Sequence, residues 1–331
     1  MLSMTTSPSR RSFLCGLAGT SAMAIGYLPS AAEAAPTFGR GAISGHPWHS
    51  GCGSAGITAF ESYRGRKCDT YTLWCKHETW SDITSLIGNL SNLTKLPGRI
   101  SYGLAPLPKS HSILKNSGNY KLAAKGSFDG YYTQFAQKLA ASGQKNLIIR
   151  IGWEINDKSR PWYGGIDPEA YKDSHRRIVG ILRRYLTTVA IEWSCLKKGH
   201  QNGPATVLYP GREYVDIVGV NYYDGYPALT TQSAWNSQYN AEYKGGPWGI
   251  GSWFDFTRSE GKKLSCSEWG INAGRYGCVD NPLYIENMWN CFFRNASTIA
   301  YENYFNQISY HQLTPSSRNP RASAKYKQLW G

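Results

Sequence analysis

The amino-acid sequence predicts an α/β fold of the (β/α)8 type, a TIM barrel. Eight short runs rich in β-branched and aromatic residues begin about 34 residues apart, which suits a strand, a helix and two loops. Amphipathic helical patterns lie between these runs, for example over 129–142 and 168–186. Eight such units in about 300 residues are what a TIM barrel requires. The predicted strands are 57–61, 69–75, 99–104, 147–152, 189–194, 215–221, 263–268 and 298–304.

A doubly wound open sheet is the alternative fold, and it would have fewer strands and an early phosphate-binding loop. Gly51, Gly53 and Gly56 match the GxGxxG pattern, but they precede a predicted strand and open no predicted helix. We therefore interpret the match as a coincidence within a glycine-rich linker at 35–56. The barrel domain is predicted to span 57–331.

The first 34 residues have the features of a bacterial twin-arginine export signal. Arg10 and Arg11 precede a modestly apolar stretch rich in glycine and alanine, and the residues up to Ala34 supply a small-residue cleavage site. A short membrane anchor is the alternative, but it would need a longer and more apolar segment. We expect an exported protein, periplasmic or secreted, without stable insertion into the membrane.

Export would place the mature chain where disulfides can form. Of the eight cysteines, Cys15 lies in the predicted signal, so an odd number remains and at least one thiol stays free. Spacing along the chain favours the local pairs Cys68–Cys75 and Cys278–Cys291. The cysteines lack the CxxC spacing of a structural zinc site, and no other cluster has the spacing of metal ligands. The sequence predicts neither a metal nor another cofactor.

Composition excludes a disordered chain, because 14% of the residues are aromatic and only 18% are charged. The 12 Trp and 23 Tyr are more rings than one core usually holds, which favours an aromatic surface for sugars, bases or proteins. A net charge of +14 is compatible with nucleic acid, with an anionic polymer, or with nothing beyond solubility. The basic residues come in scattered pairs, and an exported protein meets little nucleic acid, so no nucleic-acid partner is expected.

Two glutamates occupy positions where a TIM barrel carries its catalytic groups. Glu154 follows the fourth predicted strand and Glu268 ends the seventh. Active sites of this fold lie at the carboxyl ends of the strands. Strands four and seven lie across the barrel from each other, so their carboxylates can approach one bond from opposite sides, as glycoside hydrolysis requires. The alternative for either residue alone is a salt bridge to a neighbouring arginine.

Several other residues are candidates for binding substrate or supporting the carboxylates. Tyr222 or Tyr223, at the end of strand six, is placed to hydrogen-bond Glu268. Arg150 lies within strand four, where it either supports the carboxylates or closes an ion network inside the barrel. Tryptophans that fall in or next to predicted βα loops could stack on sugar rings, although half of them could equally be core residues. These tryptophans are Trp153, Trp162, Trp248, Trp253 and Trp269.

Three segments resemble glycoside hydrolase family 26, which belongs to the clan of (β/α)8 retaining glycosidases. They are Arg150–Asn156 with the Arg-Pro-Trp-Tyr-Gly that follows, Leu208–Tyr223, and Ser267–Gly270, and the resemblance spans roughly 57–310. The family contains mainly endo-β-mannanases, with β-1,3-xylanases and lichenases. The resemblance implies a retaining hydrolase with Glu154 as acid/base and Glu268 as nucleophile. It also places Asn156, Trp162 and Tyr223 at positions that line the substrate subsites or support the catalytic pair.

The chain departs from the family pattern beside the acid/base. The family usually has His immediately before that glutamate and Gly after the Asn, whereas this chain has Trp153 and Asp157. This difference and the positive charge favour a polysaccharide other than plain mannan, such as a bacterial exopolysaccharide that carries uronic acid. The sequence thus predicts a monomeric endo-hydrolase of a β-linked polysaccharide. A non-catalytic polysaccharide-binding barrel is the alternative.

Overall fold

A computed structural model describes residues 42–331 except 54–55, 86–97, 144–146, 201 and 316–317. These residues belong to one unit that spans Ala34–Gly331. The export signal predicted for 1–34 and the first residues of the predicted linker lie outside the described part of the chain. The structure therefore bears on the barrel and on the residues that lead into it.

Among the described residues, eight parallel strands close into a barrel in which each strand pairs with the next along the chain and the last pairs with the first. This confirms the TIM barrel predicted from the sequence. The strands are β1 His49–Gly53, β2 Thr70–Trp74, β3 Arg99–Leu104, β4 Leu147–Ile151, β5 Ala190–Leu196, β6 Ile217–Tyr223, β7 Lys263–Gly270 and β8 Ile299–Tyr304.

Helices surround the barrel and turn their apolar faces towards it. In the longest, the buried positions recur three or four residues apart, the spacing of one helical face. That helix begins at Pro168, where the side chain of Asp167 accepts a hydrogen bond from the Ala170 amide. The helices are α1 Ile57–Arg64, α2 Trp80–Thr84, α3 Asn119–Ala124, α4 Asp129–Ala141, α5 Pro168–Tyr185, α6 Gln232–Tyr239, α7 Ile250–Ser259, α8 Pro282–Arg294 and α9 Pro320–Trp330.

The first strand lies earlier in the chain than predicted. Residues 57–61 are the start of α1, whose buried positions include Ile57, Phe60 and Arg64. Those positions repeat with a helical period, which a short β-branched run concealed. The barrel strand is instead β1, within the stretch 35–56 that the sequence analysis assigned to a linker. The prediction of a linker is therefore wrong for 49–53.

The glycines of the GxGxxG match have structural roles in this strand. Because Gly51 faces the neighbouring strand, a Cβ atom there would lie 1.9 Å from the carbonyl oxygen of Thr70. Gly56 caps α1 with a φ of 69°, in the left-handed region that favours glycine. The match therefore begins within a strand and opens a helix, contrary to the prediction, but the tight packing of a barrel strand accounts for Gly51 and the helix cap for Gly56.

Cysteine pairing differs from the prediction as well. All seven cysteines of the described residues are free and buried, so neither predicted pair, Cys68–Cys75 or Cys278–Cys291, is bonded there. Cys68 approaches Cys52 on β1 instead, with 3.6 Å between the sulfur atoms. The thiols of Cys75 and Cys278 are engaged elsewhere, each in a hydrogen bond with a backbone group. Spacing along the chain did not show that adjacent barrel strands bring Cys52 and Cys68 together.

None of the helices in the described residues is both long enough and apolar enough to cross a membrane.

Candidate active site

Glu154 lies in a tight turn directly after β4. Its φ is 54° and that of Gly152 is 70°, so two residues of the turn adopt left-handed backbone. For a residue with a Cβ atom this conformation costs about 1–2 kcal/mol. Glu154 is buried, with 6% of its surface exposed. Such local strain is typical of functional sites, where the surrounding structure holds it in place.

Two side chains hold the carboxyl group of Glu154. Asn221, near the end of β6, donates its amide N–H to Oε1 at 3.1 Å. Arg160, in the loop that follows β4, forms an ion pair with Oε2. The same guanidinium lies 3.7 Å from the carboxylate of Asp157. Both oxygens of Glu154 are therefore occupied in this structure, one by a neutral donor and one by a cation.

Glu268 reaches the mouth of the barrel because the register of β7 shifts. Gly219 of β6 pairs with Ser265, but Asn221 pairs with Glu268, so β7 contains one extra residue between these positions. A bulge of this kind changes which side chains point to each face of a strand. It brings Glu268 level with Asn221, and Asn221 is the residue that holds Glu154. Asn221 thus neighbours both glutamates: its side chain binds Glu154, and its backbone position pairs with that of Glu268.

Three donors converge on the carboxylate of Glu268. Arg150 Nη1 lies 2.9 Å from Oε1, and the indole N–H of Trp74 donates to the same oxygen at 3.1 Å. The hydroxyl of Tyr223 donates to Oε2 at 3.2 Å. These residues come from the ends of β4, β2 and β6, so the closed barrel holds Glu268 from three sides.

The electrostatics of these groups follow from burial. Burial lowers the pKa of the fully buried Arg150, but Glu268 and Glu192 nearby outweigh burial and raise it overall, so the guanidinium stays charged. Burial raises the pKa of Tyr223 well above its usual range, and the charge of Glu268 raises it further. Tyr223 therefore remains a neutral donor at any pH at which the protein works.

A cleft of about 470 Å³ opens over Glu154 and Tyr223. Glu154 is the only carboxylate among the described residues that line it, whereas four cationic side chains do so. No group of three His, Cys, Asp or Glu side chains in the described residues is arranged to hold a metal ion. The lining residues are Glu154, Arg160, Leu196, Lys197, Lys198, Asn221, Tyr223, Gly225, Tyr226, Asn272, Arg275, Tyr276, Tyr310 and His311.

Comparison with known proteins relates this barrel to sugar-cleaving enzymes. GH26C from a Muricauda species superposes with a TM-score of 0.62 at 14% identity, covering 87% of this chain and 86% of that one. The catalytic domain of the GH26 endo-β-1,4-mannanase of Bacillus sp. JAMB-750 gives 0.60 at 15% identity, with 87% and 88% covered. The GH26 β-mannanase of Bacteroides ovatus gives 0.59 at 13% identity, with 86% and 89% covered. The chain has the fold of glycoside hydrolase family 26. The resemblance to this family in the sequence is thereby confirmed at the level of fold.

Sequence comparison adds a shorter match. Endoglucanase H of Acetivibrio thermocellus is 35% identical over 126 residues, which is 35% of this chain and 13% of the endoglucanase. The chain therefore corresponds to a small part of that relative. No family model matches the sequence.

Within this family 26 fold, three of the residues predicted to bind substrate are buried and support the turn that carries Glu154. Trp153 is 5% exposed and Trp162 is fully buried, and their rings pack edge to face at 4.3 Å. Trp162 donates its indole N–H to the carbonyl oxygen of Trp153 at 2.9 Å. Asn156 accepts from the Leu196 amide at 2.7 Å and donates to the carbonyl of Lys198, which ties the turn to β5. These residues position Glu154 and do not line the cleft.

Four other residues predicted to bind substrate do not line the cleft. Tyr222, Trp253 and Trp269 are fully buried between the barrel and its helices, and a ring without exposed surface cannot stack on a sugar. The prediction that they bind substrate is therefore wrong for direct contact. Trp248 is half-buried beside the cleft and packs against Lys198, although it does not line the cleft itself.

Several site residues were missed by sequence reasoning, although each carries a signal. Asn221 precedes the two tyrosines of β6, in a segment already recognised as family-like. Trp74 ends β2, and Lys197–Lys198 follows β5 directly, so both occupy carboxyl ends of strands where this fold carries functional groups. Arg160 lies in the quoted Arg-Pro-Trp motif. Arg275 has no comparable signal, because it belongs to a loop whose path only the folded barrel defines.

Proposed function

We propose that this protein is a retaining endo-glycoside hydrolase that cleaves a β-linked polysaccharide. The observation that carries the proposal is the pair of buried glutamates at the ends of β4 and β7, each held by its own set of donors at the mouth of a family 26 barrel. A pair of carboxyl groups flanking one glycosidic bond is the machinery of glycoside hydrolysis. The resemblance to family 26 supports the assignment of the two roles.

Glu268 would attack the anomeric carbon of the sugar and form a covalent glycosyl-enzyme while the bond to the leaving oxygen breaks. The donors on Glu268 favour this role, because they fix both of its oxygens at the mouth of the barrel. Glu154 would give its proton to the leaving oxygen and afterwards take a proton from the water that hydrolyses the intermediate. The product keeps the anomeric configuration of the substrate.

Glu154 can act as an acid only when Arg160 leaves its Oε2 atom. The guanidinium is half-buried and lies near a second carboxylate, that of Asp157, to which it can turn. Burial lowers the pKa of Arg160, so its charge is held in the site at a cost in solvation that its carboxylate neighbours offset. An incoming sugar that turns the guanidinium towards Asp157 would free Oε2 of Glu154. Substrate binding and release of Glu154 would therefore be coupled in this chain.

The decisive experiment compares Glu268→Gln, Glu154→Gln and a matched control, Glu286→Gln, whose side chain is half-exposed and paired with Lys325 on the outside of the barrel. Each is assayed on a panel of neutral and acidic β-glycans, with product lengths and anomeric configuration read by NMR. We expect no turnover for Glu268→Gln and full activity for the control. Glu268→Ala, which opens space for an external nucleophile, should regain turnover with azide and give a glycosyl azide of inverted configuration. A folded Glu268→Gln variant that still cleaves its substrate contradicts the assignment. Binding by the wild type without cleavage favours the non-catalytic alternative.

We also propose that the enzyme acts after export, as the features of residues 1–34 suggest, and that it acts as a monomer. Endo action is supported by the cleft, which is flanked by the exposed rings of Tyr226 and Tyr276.

A further inference from the structure

The lining of the cleft carries positive charge that no described carboxylate neutralises. Arg160 is paired with Glu154, and the Nζ atom of the buried Lys197 donates to the carbonyl oxygen of Tyr223 at 2.7 Å. The two remaining cations, Lys198 and Arg275, form no ion pair with any carboxylate in the described part of the chain. Both line the cleft.

Aromatic rings hold the ammonium group of Lys198. Its Nζ atom lies 4.6 Å from the centroid of Tyr243, 4.9 Å from that of Trp248 and 5.4 Å from that of Tyr226. Cation–π contacts of this kind orient a cation without cancelling its charge. The lysine is thus fixed at the wall of the cleft with its charge available to a ligand.

Arg275 is held in a similar way on the loop that follows β7. Its guanidinium lies 4.8 Å from the ring centroid of Tyr310 and 5.2 Å from that of Tyr276. It donates to both phenol oxygens, at 2.9 Å to Tyr310 and 3.3 Å to Tyr276. Tyr276 itself is 61% exposed, so its ring offers a free face beside the cation.

We propose that Lys198 and Arg275 bind the carboxylate of a uronic acid residue, so that the substrate is an acidic β-linked polysaccharide. That the bound polysaccharide is also cleaved rests on the proposed function. Binding of the uronate by the two cations does not depend on it. A pyranose ring carries an apolar face that stacks on an aromatic ring, and a uronate adds an anion at its edge. Exposed tyrosine faces beside unneutralised cations match both features. A neutral glycan would leave the two cations without a counterpart.

The test measures binding calorimetrically with two oligosaccharides of equal length, β-1,4-linked mannose and β-1,4-linked mannuronic acid, which differ only in the carboxylate at C6. The protein is the full mature chain carrying Glu268→Gln, so that cleavage does not interfere. At low salt we expect the acidic ligand to bind about tenfold more tightly than the neutral one, and the preference to vanish at about 1 M salt.

Substitutions then locate the site. Lys198→Met and Arg275→Met should each weaken binding of the acidic ligand by about threefold, so that together they account for the tenfold preference. Binding of the neutral ligand should not change, because a charge-assisted hydrogen bond is lost only with the acidic ligand. Arg275→Lys keeps the charge and should restore part of the preference. Lys327→Met, on the exposed side of α9, removes the same charge far from the lining residues and should change nothing.

The outcomes separate this inference from the proposed function. Equal or stronger binding of the neutral ligand, no binding of either, or an equal effect of Lys327→Met overturns the uronate site. The uronate site is also overturned if poly-L-glutamate competes as strongly as the acidic oligosaccharide. Binding would then depend on negative charge alone and not on the sugar. If the acidic ligand binds as expected but the wild-type enzyme cleaves no polymer of either kind, the proposed hydrolase activity fails while the binding site stands.

Discussion

Tyr223→Phe tests the role of Glu268 with the smallest change that the site allows. The substitution removes one of three hydrogen bonds to the carboxylate, the one that Oε2 accepts at 3.2 Å, and keeps the ring that packs against His311 and Phe305. A hydrogen bond to a charged group contributes about 1.5–3 kcal/mol. If the bond is needed to hold Glu268 in its attacking position, kcat/KM should fall by about 10- to 150-fold. Steady-state kinetics on the best substrate of the panel measures the loss.

The neighbouring tyrosine supplies a matched control. Tyr222 is fully buried on the outer side of the barrel, and its hydroxyl accepts from the amide of Ile250 at 3.2 Å. Tyr222→Phe leaves that amide unpaired, so it should lower the free energy of unfolding by about 1–3 kcal/mol while kcat/KM stays within about threefold. Tyr223→Phe should also lower the free energy of unfolding, by up to about 1.5–3 kcal/mol, so kcat/KM and not stability separates the two variants. Full activity of Tyr223→Phe, or an equal loss of activity in both variants, would refute this account of the site.

Four further outcomes follow from the same structure. Arg150→Met leaves the buried carboxylates of Glu268 and Glu192 without their cation, so the free energy of unfolding measured by urea titration should fall by about 3–5 kcal/mol. A fall of less than about 1 kcal/mol would mean that the pair with Glu268 does not stabilise the barrel. Burial lowers the pKa of His175 from 6.5 to about 3 in the folded protein. As the pH falls, this histidine therefore takes up a proton in the unfolded chain first, and the free energy of unfolding decreases between pH 6.5 and 3 by up to about 1.4 kcal/mol per pH unit. His175→Gln should flatten that slope in urea titrations at a series of pH values, and an unchanged slope would exclude this histidine as its source. Because all seven thiols of the described residues are buried, and burial raises the pKa of Cys195 and Cys266, the native protein should react slowly with a thiol reagent. The denatured mature chain should expose seven thiols, and a smaller number would reveal a disulfide. Replacing Arg10 and Arg11 by lysine should keep the precursor inside the cell in fractionation experiments, whereas normal export would argue against a twin-arginine signal.

Most of the barrel could be predicted because its strands carry their own hydrophobic signal. The segments that form β2–β8 contain runs of apolar and β-branched residues, and their predicted bounds differ from the observed ones by a few residues. The sequence of β1, His-Ser-Gly-Cys-Gly, has almost no such signal. Its burial comes from pairing with β2 and β8, which are distant in sequence, so only closure of the barrel identifies it.

The two glutamates could be predicted because the fold itself assigns meaning to the ends of its strands. The orientation of their neighbours could have been predicted too. Successive side chains in a strand point to opposite faces, so if Glu268 points into the barrel, Trp269 must point towards the helices. The same alternation sends Tyr222 outward when Tyr223 faces the cleft. What the sequence does not reveal is the extra residue in β7, which decides that Glu268 and not Ser267 lies level with Asn221.

The aromatic residues and the positive charge acquire a different meaning once their places are known. A TIM barrel has a core inside the strands and a second layer between strands and helices, and this layer accommodates rings such as Trp193, Trp253 and Trp269 with no exposed surface. Rings near the cleft are mainly tyrosines beside Lys198 and Arg275. Because exposed charges are screened beyond about 8 Å at physiological salt, the net charge of the whole chain has little influence on a bound sugar. Recognition of an acidic glycan therefore depends on those two cations at the wall of the cleft, and a variant that lowers the net charge elsewhere should keep its substrate preference.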